Sequence, residues 1–221
     1  MVEISIASLH LASRAEMVAT ARPKLSGIRK AAVRNADVDE YGLMGDTIVD
    51  TEHHGGVDQA VYVYALDDYA WWSEQLGREL APGTFGENLT VDTLGASWDE
   101  LNVGDRYVFG DVDLEVTSPR IPCDTFSAHM LEDGWMRRFR DARRPGVYCR
   151  VLNGGPLATG DVGQRLAYAE PTHSVLESQD LFYGSIADHD DDFIARALAG
   201  PLHGKTRAQL VAEMARRAAR G

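Results

Sequence analysis

The sequence predicts a mainly β domain followed by a short helical tail. Three observations carry that reading. Short apolar or alternating segments recur from Val2 to about Glu170, separated by Gly, Pro and Asp turns. The pattern changes at Pro171. Beyond it, Leu210, Val211, Met214 and Ala218 fall at helical spacing. The expected division is 1–168 and 169–221.

Each element has its own signal. Val2, Ile4 and Ile6 alternate with Glu3 and Ser5 as a strand does. Residues 12–40 are polar and irregular, and 42–58 reads as a Gly-, Asp- and His-rich loop with a short strand at most. "QAVYVY" (59–64) is apolar on both faces, as in a strand buried on both sides. Asp67 is placed to cap a helix running to about Leu80, with Tyr69, Trp72 and Leu76 on one side and Gly77 loosening its end. Residues 81–91 read as a Pro-Gly turn leading into a strand. In 103–123, Val108 and Phe109 precede a Gly-Asp turn, and Val112, Leu114 and Val116 alternate beyond it. Pro119 and Pro122 stop that strand. Two short helices fit 124–143, a strand followed by a Gly-Gly turn fits 146–157, and a last strand fits 160–170. In the tail, Thr206 and Gln209 form a capping box for a last helix. Six acids and no Lys or Arg lie in 177–192, and six basic residues and one acid in 196–220. Such blocks attract each other, within the tail or between subunits.

Composition narrows the function classes. The chain has 221 residues, 44% hydrophobic and 25% charged, as in a folded protein. No apolar run approaches bilayer length, and the N-terminus lacks a basic, then apolar, leader pattern. With 22 basic and 34 acidic residues the net charge is −12, which argues against nucleic-acid binding. Two cysteines make no disulfide framework and no zinc motif, which fits a reduced, cytoplasmic protein.

A few residues are candidates for chemistry. Cys123 lies in "TSPRIPCDTF", a loop stiffened by two prolines, three residues after Arg120. A guanidinium favours the thiolate, the form that attacks carbon or binds a metal. A small buried residue in a turn is the alternative. Cys149 alternates inside "GVYCRVL" and reads as core. His53, His54, Gly55 and Gly56, flanked by Asp46, Asp50, Glu52 and Asp58, fit a hydrogen-bonded loop better than any metal motif. Asn88 in "FGEN" carries a donor and an acceptor for a heterocycle edge, or simply shapes a turn. Arg137, Arg138, Arg140, Arg143 and Arg144 form either a solvated helix face or the frame of an anion pocket. No nucleophile elbow, P-loop or dinucleotide fingerprint is present.

Taken together, "GDTIVDTEHHGGVDQAVYVY", "PGTFGENLTV" with "VGDRYVFGDVDLEVTSPRIPC", and "PGVYCRVLNGGPLATGDV" resemble the MOSC domain, named after the C-terminal domain of molybdenum-cofactor sulfurases. The likeness is greatest to its YiiM-like bacterial branch. It implies a closed β-barrel of the pyruvate-kinase insert-domain type with peripheral helices and a small C-terminal three-helix domain. It also implies molybdenum cofactor, with Cys123 as the Mo ligand and catalytic centre. His54, Gly55, Gly56, Asn88 and Arg120 map to cofactor-binding positions. The branch reduces N-hydroxylated compounds. No flavin, haem or iron–sulfur motif is present, so a separate electron donor is expected. Glu87 and Asp124 are candidate proton donors. A carrier of the cofactor or of sulfur, without turnover, needs the same thiol and pocket. A Cys/His hydrolase pairing Cys123 with His54 or His129 needs no metal. The sequence leaves a homodimer open.

Overall fold

The computed structural model describes residues 1–51, 54–93 and 98–219; Glu52 and His53 of the expected loop fall outside these. In chain order the first half forms β1 (Val2–Leu11), β2 (Glu16–Val18), β3 (Lys24–Ser26), β4 (Ala31–Val33), β5 (Asn35–Asp39), β6 (Gly42–Leu43), β7 (Val61–Ala65), α1 (Leu66–Leu76) and β8 (Leu89–Asp92). The second half forms β9 (Arg106–Phe109), β10 (Val112–Pro119), α2 (Asp124–Met130), α3 (Trp135–Ala142), β11 (Val147–Asn153), β12 (Gly155–Ala158) and β13 (Val162–Leu166). The tail holds α4 (Val175–Tyr183), α5 (Asp191–Ala199) and α6 (Gly204–Ala218).

Seven strands close into a barrel in the order β13-β9-β10-β11-β7-β8-β1, with β1 pairing back onto β13. Closure removes the open edges that a sheet of this length would otherwise expose. The long strand β1 makes it possible. It pairs β13 near its start, β8 along its middle and β4 at its end, with a bulge between Ile6 and Ser8. Among the described residues only β7 and β8 run parallel, joined by the crossover through α1. Ile4, Ile6, Val61, Val63, Leu89, Val91, Leu114, Val116 and Cys149 fill the interior.

Strand β7 is buried throughout, as its two-sided apolar pattern predicts. Val61 and Val63 face the barrel core, whereas Tyr62 and Tyr64 face a second, aromatic core under α1, α2 and α3. There Phe85 stacks on Trp135 at 6.1 Å and Trp72 on Phe139 at 5.9 Å. The helices therefore cover one side of the barrel, next to the loop that carries Cys123.

Several elements depart from expectation. The segment 12–40 holds four short strands, β2–β5, rather than irregular chain alone. They are only three to five residues long and largely exposed, too short for alternation to register. Within 146–157 the strand β11 ends at the Gly-Gly pair as expected, but pairing resumes beyond it as β12, with Gly154 so close to β5 that a Cβ would meet Val38 O at 2.3 Å. Asp67 does not cap α1. Ala65 is the N-cap, and Asp67 and Asp68 sit in the first turn, where the helix dipole favours acids. That helix stops at Leu76, where Gly77 turns left-handed at φ 63°. In the tail the Thr206–Gln209 box does not form, because α6 starts earlier, capped by the His203 ring on Lys205 N. The capping box lies on α4, between Ser174 and Glu177.

The tail helices bury Leu181, Phe193, Ile194, Ala197 and Leu210 against Val103 of the barrel. Val175 and Leu176 of α4 belong to the barrel core itself. Val211 is exposed. The opposite charges meet within the tail, as Arg196–Glu177 at 3.1 Å and Arg217–Asp191 at 2.6 Å. No helix among the described residues is long and apolar enough to cross a membrane.

Candidate functional site

Strand β10 ends at Pro119, and the loop Arg120–Cys123 runs directly into α2, for which Cys123 is the N-cap residue in extended conformation. The fixed φ of Pro122 precludes helix before it and sets where the thiol emerges. Cys123 borders a cavity of about 110 Å³ with Arg120, Tyr62, Tyr148, His54 and Lys30. The 24–30 segment, the 46–50 and 54–60 loops, and Gly86 and Asn88 complete the wall.

Burial alone would push the Cys123 thiol up. A hydrogen bond with His54, the charge of Arg120 and the Phe126 N–H outweigh it and bring the thiol down to about 6. It is therefore largely thiolate at neutral pH. Arg120 is 5% exposed. Its guanidinium carbon lies 4.7 Å from the Tyr62 ring centre and 4.2 Å from that of Phe126, and Nη1 donates to Phe85 O at 2.7 Å. Among the described residues its Nε has no partner. Gly86 lets this packing occur. At φ 73° it turns where a Cβ would lie 2.9 Å from Ile28 and 3.8 Å from the Arg120 guanidinium.

Asp46 organises the opposite wall. Oδ1 accepts from Ala12 N at 2.8 Å and Thr47 N at 3.0 Å, and Oδ2 accepts from the Asn88 amide at 2.8 Å and from buried Lys30. Burial pulls the Lys30 ammonium down, and Asp46 opposes it. Asn88 accepts from Tyr62 N at 3.1 Å. Its amide thus pins β7 to the Asp46 loop, leaving little of it to clamp a heterocycle.

The structure brings His54, Gly55, Asn88, Arg120 and Cys123 to one cavity. Gly56 stays outside the wall and opens the turn Val57–Gln59. Glu87 also misses it. Its buried carboxylate turns inward to accept from Tyr69 OH, Gly83 N and Thr90 Oγ1. Asp124 is exposed on the first turn of α2 and does not line the cavity. His129 Nε2 donates to Thr84 O at 3.0 Å and lines a separate groove with Arg29 and Arg78, so the hydrolase reading keeps only His54. None of the arginines 137–144 lines the cavity. Arg138 donates to Gln75 O, Arg140 pairs with Asp141, Arg143 with Asp180 and Arg144 with Asp68. Cys149 is fully buried in the barrel core, and burial raises its thiol strongly.

Lys24, Lys30, Gln59, Tyr62, Thr125 and Tyr148 are wall residues that the sequence did not mark. The tyrosines read as strand positions, which they also are. The lysines sit in a segment with no periodicity to single them out. Among the described residues no three His, Cys, Asp or Glu are grouped to hold a metal ion. The cavity instead offers one soft thiolate amid cations. That donor set fits a metal bound mainly by its own organic ligand, carrying negative charge, and the unpartnered Arg120 Nε fits an anionic acceptor.

A family model described as MOSC domain matches residues 50–163. The match includes His54, Gly55, Asn88, Arg120, Cys123 and Tyr148 and leaves out Lys24, Lys30 and Asp46. Uncharacterized protein YflK of Bacillus subtilis is 30% identical over 180 residues, 81% of this chain and 80% of that protein. A protein named Reductase, of Gibberella moniliformis, is 34% identical over 142 residues, 62% of this chain but 25% of its own length. The crystal structure of YiiM from Geobacillus stearothermophilus shares the fold at a TM-score of 0.74 and 22% identity, covering 94% of this chain and 97% of that one.

Proposed function

The chain belongs to the MOSC domain family, and from that premise we propose that it binds molybdenum cofactor in the Cys123 cavity and reduces N-hydroxylated compounds there. The observation that carries the proposal is a thiol held near 6 on the wall of a cavity lined by Arg120 and Lys30. The reductase name of a relative similar over 62% of the chain supports it.

Cys123 would ligate the metal as thiolate. Arg120, Lys30 and the backbone around Gly55 would meet the anionic part of the cofactor. When bound, the cofactor supplies two-electron redox chemistry. The chain's own residues keep the thiol deprotonated and hold cations near the bound anion. The net reaction is R–NHOH + 2 e⁻ + 2 H⁺ → R–NH₂ + H₂O. The electrons come from a separate donor, and the two unpaired cysteines suit a reducing, cytoplasmic setting.

The test is expression in a cofactor-competent host, followed by molybdenum and pterin analysis and by turnover of a hydroxylamine with a reduced viologen dye. Stoichiometric molybdenum with turnover is expected. Bound molybdenum without turnover replaces the enzyme with a carrier. A protein free of molybdenum and pterin from that host overturns the proposal.

A further inference from the structure

Four tyrosines pack together beside the cavity. Tyr62, Tyr64 and Tyr69 spend their hydroxyls on the protein, donating to Pro145 O at 2.9 Å, Arg144 O at 2.9 Å and the Glu87 carboxylate. Tyr148 does not. Among the described residues its hydroxyl has no hydrogen-bond partner, although the ring is half-buried and lines the cavity with Cys123 and Arg120. The hydroxyl is not among the buried polar atoms left without a partner, so it is reachable by solvent or by a ligand in the cavity.

The position is rigid. Tyr148 sits on β11 opposite Tyr62 on one side and Ser118 on the other. Its ring lies 5.1 Å from that of Tyr62, and its carbonyl accepts from Thr117 Oγ1 at 3.1 Å. Tyr62 in turn lies under the Arg120 guanidinium. The phenol is within electrostatic reach of both Cys123 and Arg120. A ring fixed on the wall of the cavity that holds Cys123, with no acceptor for its hydroxyl among the described residues, suits a ligand oxygen.

We propose that the Tyr148 hydroxyl is a substrate-binding donor, holding the hydroxyl oxygen of an N-hydroxylated substrate beside Cys123. This assignment rests on the reductase reading for its substrate class. In the net reaction the N–O bond breaks, the nitrogen takes two electrons from the separate reductant, and the oxygen leaves as water with protons from solvent. Tyr148 orients that oxygen as it leaves and is itself unchanged.

The test compares two probes that differ only in the oxygen, N-phenylhydroxylamine and aniline, titrated calorimetrically into the full-length, cofactor-loaded protein. The wild type binds the hydroxylamine about tenfold more tightly, the worth of one good hydrogen bond. In Tyr148→Phe, which keeps the ring against Tyr62, that ratio falls towards one, while melting temperature and molybdenum content stay unchanged. Tyr148→His restores a donor and recovers part of the ratio. A purely structural role for Tyr148 would leave the ratio alone. An unchanged ratio in Tyr148→Phe overturns the assignment, and so does a wild type without preference for the hydroxylamine. The reductase reading is tested separately, by turnover. A wild type that discriminates through Tyr148 but reduces nothing sinks that reading and keeps the donor. Turnover with no change of ratio in Tyr148→Phe does the reverse.

Discussion

Two thiols in one chain occupy opposite electrostatic worlds. Cys149 lies in the barrel core, and burial, assisted by the charge of Glu115, keeps it protonated. Cys123 is also mostly enclosed, yet His54 and Arg120 outweigh burial and bring it to about 6. The prediction is a pH profile. Alkylation of Cys123 by iodoacetamide in the cofactor-free protein reaches half its plateau near pH 6, and Cys149 stays silent until the protein unfolds. Arg120→Met, which keeps the packing against Tyr62 and Phe126, moves that midpoint up, because the thiolate loses a cation. Mass spectrometry of the alkylated peptides reads both sites. An unmoved midpoint in Arg120→Met would mean that His54 alone holds the thiolate.

The joint between β13 and α4 shows how an element depends on one neutral group. The His173 carbonyl accepts from Val103 N at 3.0 Å, and its Nε2 lies 2.7 Å from Ser178 Oγ. Phe193 of α5 packs on the ring at 5.8 Å. Burial lowers the ring from 6.5 to about 4, with Glu177 opposing and Arg196 assisting. The sign follows from the depressed folded value. Above 6.5 both folded and unfolded states hold a neutral ring. As pH falls from 6.5 towards 4 the unfolded chain takes up the proton first, so stability drops, by about 3 kcal/mol for this group. His173→Gln, which keeps a polar end for Ser178, should flatten that part of the stability curve. Urea unfolding at pH 7 and pH 4.5 measures it, and equal losses in wild type and variant would remove His173 as the cause.

At the scale of the whole molecule, the tail and the barrel share side chains. Val175 and Leu176 lie in the barrel core, and Asp58, in the loop leading from Gly55 to β7, accepts from Gly204 N at the start of α6 at 2.7 Å. A chain ending at Glu170 loses both core residues, each worth roughly 1.5–3 kcal/mol when buried. It should be strongly destabilised and hold little molybdenum. A chain ending at Pro201 keeps the barrel core but frees Asp58 from α6. It should melt a little lower and retain less molybdenum than the full chain. Melting curves and metal content decide both cases. A stable, molybdenum-loaded chain ending at Glu170 would establish 1–168 as independent of the tail.

The barrel strands were legible because alternation at Ile4–Ile6 and Val112–Val116, and the two-sided run at Val61–Tyr64, report burial directly. Cys123 was legible because two prolines and an arginine surround it in the chain itself. The short strands of 12–40 were not, since three exposed residues carry no period. Nor was the start of α6, which the fold places by giving its first N–H groups to His203 and Asp58 instead of to Thr206. Local sequence sets which residues prefer to be buried, extended or charged, and where those preferences are strong they show in the sequence itself. Which side chains meet is decided by closure of the barrel. That closure turned Glu87 inward, spent Asn88 on Asp46, drew Lys30 out of a featureless segment and set Tyr148 on the same cavity wall as Cys123. Contacts of that kind join residues far apart in the chain, and no local pattern encodes them.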